Sequence, residues 1–432
     1  MPTTRTARTR VRDLHPALDG RPVRLQGWLH HQRRLANVTF ALVRDATGVA
    51  QVVVEDGGLR ATLGGLRPET VIEVSGRLSA NASAPNGVEV HEPVVTVLVE
   101  PAEVPPFELR RPELQASLPT ILDHAAVALR HPARREAFRV AAASVAGFRA
   151  TLDGLGFTEV HTPKLVGSAT ETGANVFAVD YFGRTAYLAQ SPQLYKQVMV
   201  GVFERVYETG PVFRAEPHDT VRHLAQYTSL DVELGFIEDH RDVMALLRDV
   251  LAGMVAAVED RVGAASGWPT IPSEIPVIHF DDAQALLERL LGEPVVGESD
   301  LAPAHERRLG EWAIAEHGSD LLFVEGYPMA KRPFYTHPDP DRPGASKSFD
   351  LLFRGLELVT GGQRLHRHED YVAVLGAEQQ VVLDGYLQAF RYGLPPHGGF
   401  AIGLERWVAR LVGAANVRDV TLFPRDLHRL TP

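Results

Sequence analysis

Cysteine is absent from all 432 residues, which excludes disulfides, thiolate metal sites and cysteine nucleophiles. Its absence fits a reducing compartment, and a cytoplasmic protein is the expectation. No apolar run reaches the roughly 20 residues of a membrane-spanning helix, so no membrane partner is expected. The basic N-terminus MPTTRTARTRVRDLHP has no apolar stretch behind it and does not read as a secretory signal. Also lacking is a glycine-rich phosphate loop of the P-loop or dinucleotide type, so any bound nucleotide must be held in another way. Internal repeats and low-complexity blocks are missing as well.

What remains is ordinary globular material, 45% hydrophobic and 23% charged, long enough for about two or three domains. The net charge of −10 argues against a general nucleic-acid coat. The charge is uneven, however. Residues 1–44 hold nine arginines against only Asp13 and Asp19. Such a region is either a solvated charged surface or a local basic face able to meet a phosphate backbone.

Residues 20–100 read as short strands, with Val23–Leu29, Val38–Arg44, Val49–Glu55 and Val71–Leu78 as β-rich runs. Asp45-Ala-Thr-Gly48 and Asn86-Gly87 supply turn chemistry. About five short strands in roughly 80 residues suggest a small barrel, for which an OB-fold is the leading candidate. Prolines 101, 105, 106, 112 and 119 mark an extended linker, since proline cannot sit inside a helix or central strand. Beyond it, Phe138, Ala141, Val145, Phe148, Leu152 and Leu155 recur at helical spacing. A short strand, Phe157–His161, follows and is stopped by Pro163. Long apolar strands are expected at Arg205–Glu216, Ser229–Phe236, Ser348–Thr360 and Gly398–Gly403, with a helix around Arg241–Val262. Long strands joined by hairpins point to an antiparallel α+β domain. The expected domains are 1–102, a hinge over 103–125, and 126–432.

Three segments carry candidate chemistry. Gly156-Phe157-Thr-Glu-Val-His-Thr-Pro163 ends a helix–strand–proline unit that by itself reads first as an ordinary core helix leading into a strand. In the second, Val212-Phe-Arg-Ala-Glu216 precedes a polar loop and the strand from Ser229. Period two places Asp231 and Glu233 on one face of that strand, as it does Arg214 and Glu216 on theirs. Buried charges are costly unless paired, so this surface is a salt-bridge network or a site. The third, Gly398-Gly-Phe-Ala-Ile-Gly-Leu-Glu-Arg406, runs from a strand into a helix with an arginine in its first turn. The macrodipole disfavours a cation there, which calls for a compensating anion: a phosphate, or simply Glu405.

In this order, the three segments resemble motifs 1, 2 and 3 of the class II aminoacyl-tRNA synthetases. FRAE, Arg222-His223-Leu224, GLER and the C-terminal LFPRD carry the likeness as a set. It covers essentially the whole chain and is greatest to the compact aspartyl enzymes of archaeal type. The asparaginyl enzymes are similar too, and the lysyl ones more distantly. The implied architecture is an N-terminal OB-fold anticodon-binding barrel, a hinge, and a class II antiparallel-sheet catalytic domain with flanking helices. The implied activity is ATP-dependent formation of aspartyl-adenylate and transfer to tRNA(Asp). An asparaginyl ligase, a tRNA-independent asparagine synthetase and an RNA-binding paralogue are the competing readings.

The resemblance also implies roles. Arg214 would hold the α-phosphate and Arg406 the γ-phosphate of a bent ATP. Glu216, Arg222, His223, Leu224, Glu357 and Gly403 would complete the nucleotide site. Mg2+ would sit on Glu357, Thr360 and Asp350. Ser191-Pro-Gln-Leu-Tyr-Lys196 matches the aspartate-binding stretch. Lys196 and Arg364 would face the side-chain carboxylate, while Ser191, Gln193, Asp231 and Glu171 complete the pocket. A lysine facing a neutral amide would be an unpaired buried charge, which favours aspartate over asparagine. In the barrel Phe40, Gln51, Glu73 and Arg33 would read the anticodon by stacking and edge hydrogen bonds. His30 and Pro85 stand where discriminating aspartyl enzymes tend to carry tryptophan and lysine. They imply charging of tRNA(Asn) as well, with a partner amidotransferase. A homodimer is implied by the motif 1 likeness. His366-Arg-His-Glu-Asp370 looks superficially like a metal cluster but reads better as a solvated strand end.

Overall fold

The computed structural model describes residues 7–168, 175–265 and 267–432. The chain divides into two compact units, Met1–Ala133 and Arg134–Pro432.

In the first unit, strands β1 (Pro22–Arg34), β2 (Thr39–Arg44), β3 (Val49–Val54), β4 (Val71–Ala80) and β5 (Val88–Val99) close into a barrel of order β1-β2-β3-β5-β4. Alternation does the work: Val23, Leu25, Ala41, Val43, Val52, Val54, Ile72 and Val74 fill the interior. Asp45 forms the expected turn, its carboxylate accepting from the backbone N–H of Thr47 (2.6 Å) and Gly48 (3.1 Å). Within the proline-rich stretch the backbone is irregular up to Ser117. A short helix, Leu118–Asp123, then starts with proline in its first turn, where a missing N–H costs nothing.

The second unit is built on an eight-stranded sheet. Its strands are β6 (Thr158–Glu159), β10 (Arg205–Phe213), β11 (Gln226–Gly235), β12 (Val277–His279), β13 (Leu321–Glu325), β14 (Ser348–Phe353), β15 (Glu357–Gln363) and β16 (His397–Gly403). Their order is β12-β13-β14-β15-β16-β11-β10-β6. The pairings are antiparallel except at the two edges, β12–β13 and β10–β6. A separate small sheet joins β7 (Leu165–Val166), β8 (Ala178–Tyr181) and β9 (Arg184–Leu188). The amphipathic helices Pro132–Gly154 and His240–Val262 pack with the sheet around Phe148, Leu152, Leu247, Leu251, Phe349 and Trp407.

Three expectations need correction. Ser348–Thr360 is not one strand but the β14–β15 hairpin. Its turn passes through Arg354 (φ 48°) and Gly355 (φ 70°), conformations no strand tolerates. The strand from Arg205 stops at Phe213, so Arg214 and Glu216 lie just beyond it, Arg214 still donating its backbone N–H to Ala225. His366–Asp370 is no strand end: it leads into the helix His368–Val374. No helix among the described residues is long and apolar enough to cross a membrane.

Candidate active site

β11, β15 and β16 lie side by side at the centre of the large sheet, and their side chains build two adjoining regions. The first is a cavity of 340 Å³ lined by Arg214, Glu216, Arg222, His223, Leu224, Glu357, Gly403 and Arg406. These are all eight residues that the sequence groups into a nucleotide site. Thr360, Tyr227, Ser229 and Glu405 line it too. Tyr227 is the one phenyl-type ring in the lining, and the Arg214 guanidinium stands 5.7 Å from its centre.

Arg406 occupies the first turn of the helix Leu404–Val412. Glu405 does not compensate it. The Glu405 carboxylate accepts from the backbone N–H of Thr228 (3.0 and 3.1 Å), and burial pushes its pKa up. Arg406 instead reaches the carbonyl oxygens of Arg222 (3.5 Å) and Glu357 (3.4 Å), both weak partners for a guanidinium. The anion that a cation at this helix terminus calls for is therefore not supplied by its sequence neighbour. Burial, with Arg406 close by, holds His223 below the usual histidine range.

On the hairpin, Asp350 and Thr360 face each other across the β14–β15 pair, and Glu357 starts β15. Thr360 Oγ1 donates to Glu357 Oε1 (3.3 Å). Burial, reinforced by Asp350, pushes the Glu357 pKa up to about 7. Asp350 Oδ2 lies 3.1 Å from Arg332, which is buried over the Tyr327 ring. Oδ1 of Asp350 is buried with no hydrogen-bond partner among the described residues. An orphaned carboxylate oxygen, a second carboxyl reluctant to ionise and a hydroxyl form the hard-oxygen set that suits a divalent cation such as Mg2+. Arg332 and Glu306 escaped the sequence reading. Glu306 accepts from the Glu357 backbone N–H (3.0 Å) and pairs with Arg222 (3.5 Å), yet it comes from a distant helix with no local signal.

The second region is a buried ionic quartet. Lys196, on the helix Gln193–Phe203, is 1% exposed. Its Nζ donates to Asp231 Oδ1 (3.1 Å) and the Phe400 carbonyl (3.3 Å), and lies 3.4 Å from Glu233. Arg364, just past β15, donates Nε to Glu233 (2.9 Å) and Nη2 to the Gly399 carbonyl (3.0 Å). Burial opposes ionisation of Glu233, but Arg364 and Lys196 overcome it and hold the carboxyl below its usual range. Behind the quartet His397 is kept neutral by burial, its pKa lowered to about 4. Ser191 and Gln193 are buried at the start of the lysine's helix, joined by a bond from the Gln193 N–H to Ser191 Oγ (3.1 Å). Glu171 lies outside the described residues. Ser229 links the two regions: it lines the cavity and its hydroxyl donates to Asp231. Period two carries that face of β11 from the cavity to the quartet.

In the barrel unit, Phe40 points away from the packed interior, and Arg33 places its guanidinium 4.7 Å above the ring. Gln51 stands opposite Leu42, two residues from Phe40 on the adjoining strand, and donates to Glu89 (2.8 Å). Glu73 accepts from Arg24 (2.9 Å) and Gln26 (2.6 Å). His30 bonds Arg44 (2.9 Å), which pairs with Glu69 (2.7 Å). Burial, with Arg44, brings the His30 pKa down to about 4. Pro85 opens a short turn of helix, Pro85–Gly87. The His366–Asp370 run does not converge as a metal cluster among the described residues.

Residues 117–427 match the family model of class II tRNA synthetases (D, K and N), and residues 23–98 that of the OB-fold nucleic acid binding domain. The chain is 48% identical to the aspartate–tRNA(Asp/Asn) ligase of Thermus thermophilus, over 98% of this chain and 100% of that protein. It is 46% identical to the ligase of the same name from Deinococcus radiodurans, over the full length of both. The asparaginyl-tRNA synthetase of Pyrococcus horikoshii, solved with asparaginyl-adenylate, superposes with a TM-score of 0.92 at 32% identity, covering 99% of this chain and 100% of that one. With matches across both units and nearly full-length relatives, the chain belongs to the class II tRNA synthetases of the D, K and N group.

Proposed function

We propose that the amino acid this ligase activates is L-aspartate, and that it passes the aspartyl group to tRNA(Asp) and also to tRNA(Asn). As a class II ligase of the Asp/Asn type it activates an amino acid with ATP and charges tRNA. The choice of aspartate rests on one observation: two fixed cations, Lys196 and Arg364, stand in a buried quartet continuous with the nucleotide-sized cavity through Ser229. A side-chain carboxylate entering there meets both cations. Asp231 and Glu233 already pair the two cations, so the preference rests on the hydrogen bonds the substrate adds, which to a carboxylate are roughly twice as strong as to a neutral amide. Asp231 holds the lysine in place, and Ser191 and Gln193 orient the backbone end of the substrate.

The reaction joins an oxygen of the aspartate α-carboxylate to the ATP α-phosphorus and releases pyrophosphate. Charge grows on the phosphoryl oxygens, so positioned cations stabilise the transition state. Arg214 grips the α-phosphate with its planar fork. Arg406 takes the γ-phosphate, the anion its helix terminus calls for. Tyr227 offers the ring on which adenine stacks, with Glu216, Arg222, His223, Leu224 and Gly403 as the remaining wall. Mg2+ fits Glu357, Asp350 and Thr360, where it would draw charge from the triphosphate. The barrel presents Phe40, Gln51, Glu73 and Arg33 to the anticodon. Aspartate on tRNA(Asn) implies an amidotransferase acting on the product, and motif 1 implies a homodimer.

ATP–pyrophosphate exchange with aspartate, asparagine and lysine tests the reading. Exchange driven by aspartate alone is expected. Strong exchange with asparagine and none with aspartate would falsify it.

A further inference from the structure

Three side chains after β10 converge in a way the ligase reaction does not require. Glu216, His218 and His223 each offer a ligand atom, and the three atoms lie within 4.8 Å of one another. His218 Nδ1 is 3.5 Å from Glu216 Oε2. That is close to the roughly 3.3 Å separating two ligand atoms of a tetrahedral zinc ion with bonds of about 2.0 Å. The two imidazole rings are 5.1 Å apart, centre to centre. Thr220 Oγ1 bonds His223 Nδ1 at 2.6 Å, which fixes that ring and leaves Nε2 as the nitrogen to ligate, the arrangement in which outer-shell partners hold metal-bound histidines. Among the described residues no other trio of histidine, aspartate or glutamate comes this close.

We propose that Glu216, His218 and His223 bind a divalent cation of the zinc class. Two imidazoles and one carboxylate favour zinc, cobalt or nickel over magnesium, which demands oxygen ligands and keeps its waters. Glu216 and His223 face the cavity, whereas the His218 side chain is 56% exposed, so the ion enters from solvent and keeps an open coordination position. Arg214 lies 3.9 Å from Glu216, and Arg222 and Arg406 line the same wall. Their repulsion keeps binding reversible. One consequence rests on the reading of the cavity as the ATP site: an ion held by Glu216 and His223 takes both from the nucleotide, so zinc inhibits activation.

Cobalt titration of the full-length protein tests the site directly. One equivalent with visible bands of four- or five-coordinate cobalt is expected, displaced by zinc, and at least tenfold weaker in His218→Ala. A spectrum of hydrated octahedral cobalt only, or one unchanged in His218→Ala, overturns the site. ATP–pyrophosphate exchange then separates the two readings. Parent and His218→Ala should share one metal-free rate, with the variant at least tenfold less sensitive to zinc. Zinc complexed by ATP itself affects both proteins alike. Should cobalt bind as expected while zinc inhibits both proteins equally, the site stands and the ATP assignment of the cavity fails.

Discussion

Lys196→Leu removes an ammonium that neutralises two buried carboxylates, Asp231 and Glu233, as well as the group proposed to meet the substrate. Breaking a buried pair from one side costs about 3–5 kcal/mol, because the other charge stays behind. The single variant should therefore lose that much stability in urea, and aspartate-driven exchange should fall at least about 100-fold. Adding Asp231→Asn returns much of the stability but none of the exchange. Recovery of exchange in the double variant would reduce Lys196 to a structural counter-ion. A second residue-scale effect concerns pH. His397 has its pKa lowered to about 4 by burial, below the unfolded value near 6.5. Between those values the unfolded chain binds the proton and the folded one does not. The stability contributed is thus complete above about pH 6.5 and is lost as pH falls toward 4. For the fully buried His397 the loss from pH 7 to pH 5 is about 2 kcal/mol. Glu325 does not mask it, since His240 and Arg241 bring its carboxyl down to about 2 against burial. Two other groups act over the same interval. His30, lowered to about 4 by burial, loses stability as His397 does, whereas Glu357, raised to about 7 by burial, gains it as pH falls. His397 is therefore read from the difference between parent and variant. The change in urea stability between pH 7 and pH 5 should be about 2 kcal/mol more favourable in His397→Gln than in the parent. An equal difference in both would remove His397 from the account.

At the scale of elements, β16 succeeds because it has almost no side chains where it crosses the quartet. A Cβ on Gly399 would stand 2.1 Å from the Val232 carbonyl and 2.2 Å from Glu233 Oε2. Gly399→Ala should therefore push Glu233 off Arg364, costing about 1–3 kcal/mol as overpacking does. It should also raise the KM for aspartate while leaving that for ATP nearly unchanged. Gly385→Ala, with nothing within 4 Å, is the neutral comparison. An aspartate KM that stays put in Gly399→Ala would disconnect the glycine from the pocket. The sequence revealed this glycine pair as a motif but not its reason, which lies in a neighbouring strand far along the chain. The same limit explains other differences. Alternation made β11 legible, and its Asp231–Glu233 face is where period two puts it. The β14–β15 turn is hard to read because Arg354-Gly355 sits between the strand-like stretches Leu351-Leu352-Phe353 and Leu358-Val359 with no proline or asparagine to mark it, and the left-handed φ values show only in the fold. Glu405 was a fair local partner for Arg406. Its actual partner, the Thr228 N–H, is reached only once β11 and β16 pair. Arg332 and Glu306 arrive by tertiary contact alone, and no period or motif announces them.

At the scale of the molecule, each unit owns a separate hydrophobic core. The match to the OB-fold nucleic acid binding domain lies in the barrel unit and nearly all of the synthetase match in the larger one, and the proposed function gives anticodon reading to the first and activation to the second. This division makes tRNA choice separable from chemistry. His30, neutral and bonded to Arg44, is a compact ring, and Pro85 brings no charge. Neither supplies a bulky or cationic group that would reject one anticodon, so transcripts of tRNA(Asp) and tRNA(Asn) should be aspartylated at rates within about tenfold, a difference of roughly 1.4 kcal/mol. The double variant His30→Trp, Pro85→Lys adds both missing features. It should cut charging of tRNA(Asn) at least about tenfold while sparing tRNA(Asp), since discrimination arises from a clash or an unmatched charge against one partner. ATP–pyrophosphate exchange, which needs no tRNA, should not move. A fall in exchange would mean that the substitutions disturb more than the barrel surface. Equal loss on both tRNAs would point to the Arg44–Glu69 pair: tryptophan cannot accept from Arg44, and a weakened barrel reads no anticodon well. Charging of tRNA(Asp) alone by the parent enzyme would end the broad-specificity reading and leave the aspartate pocket untouched.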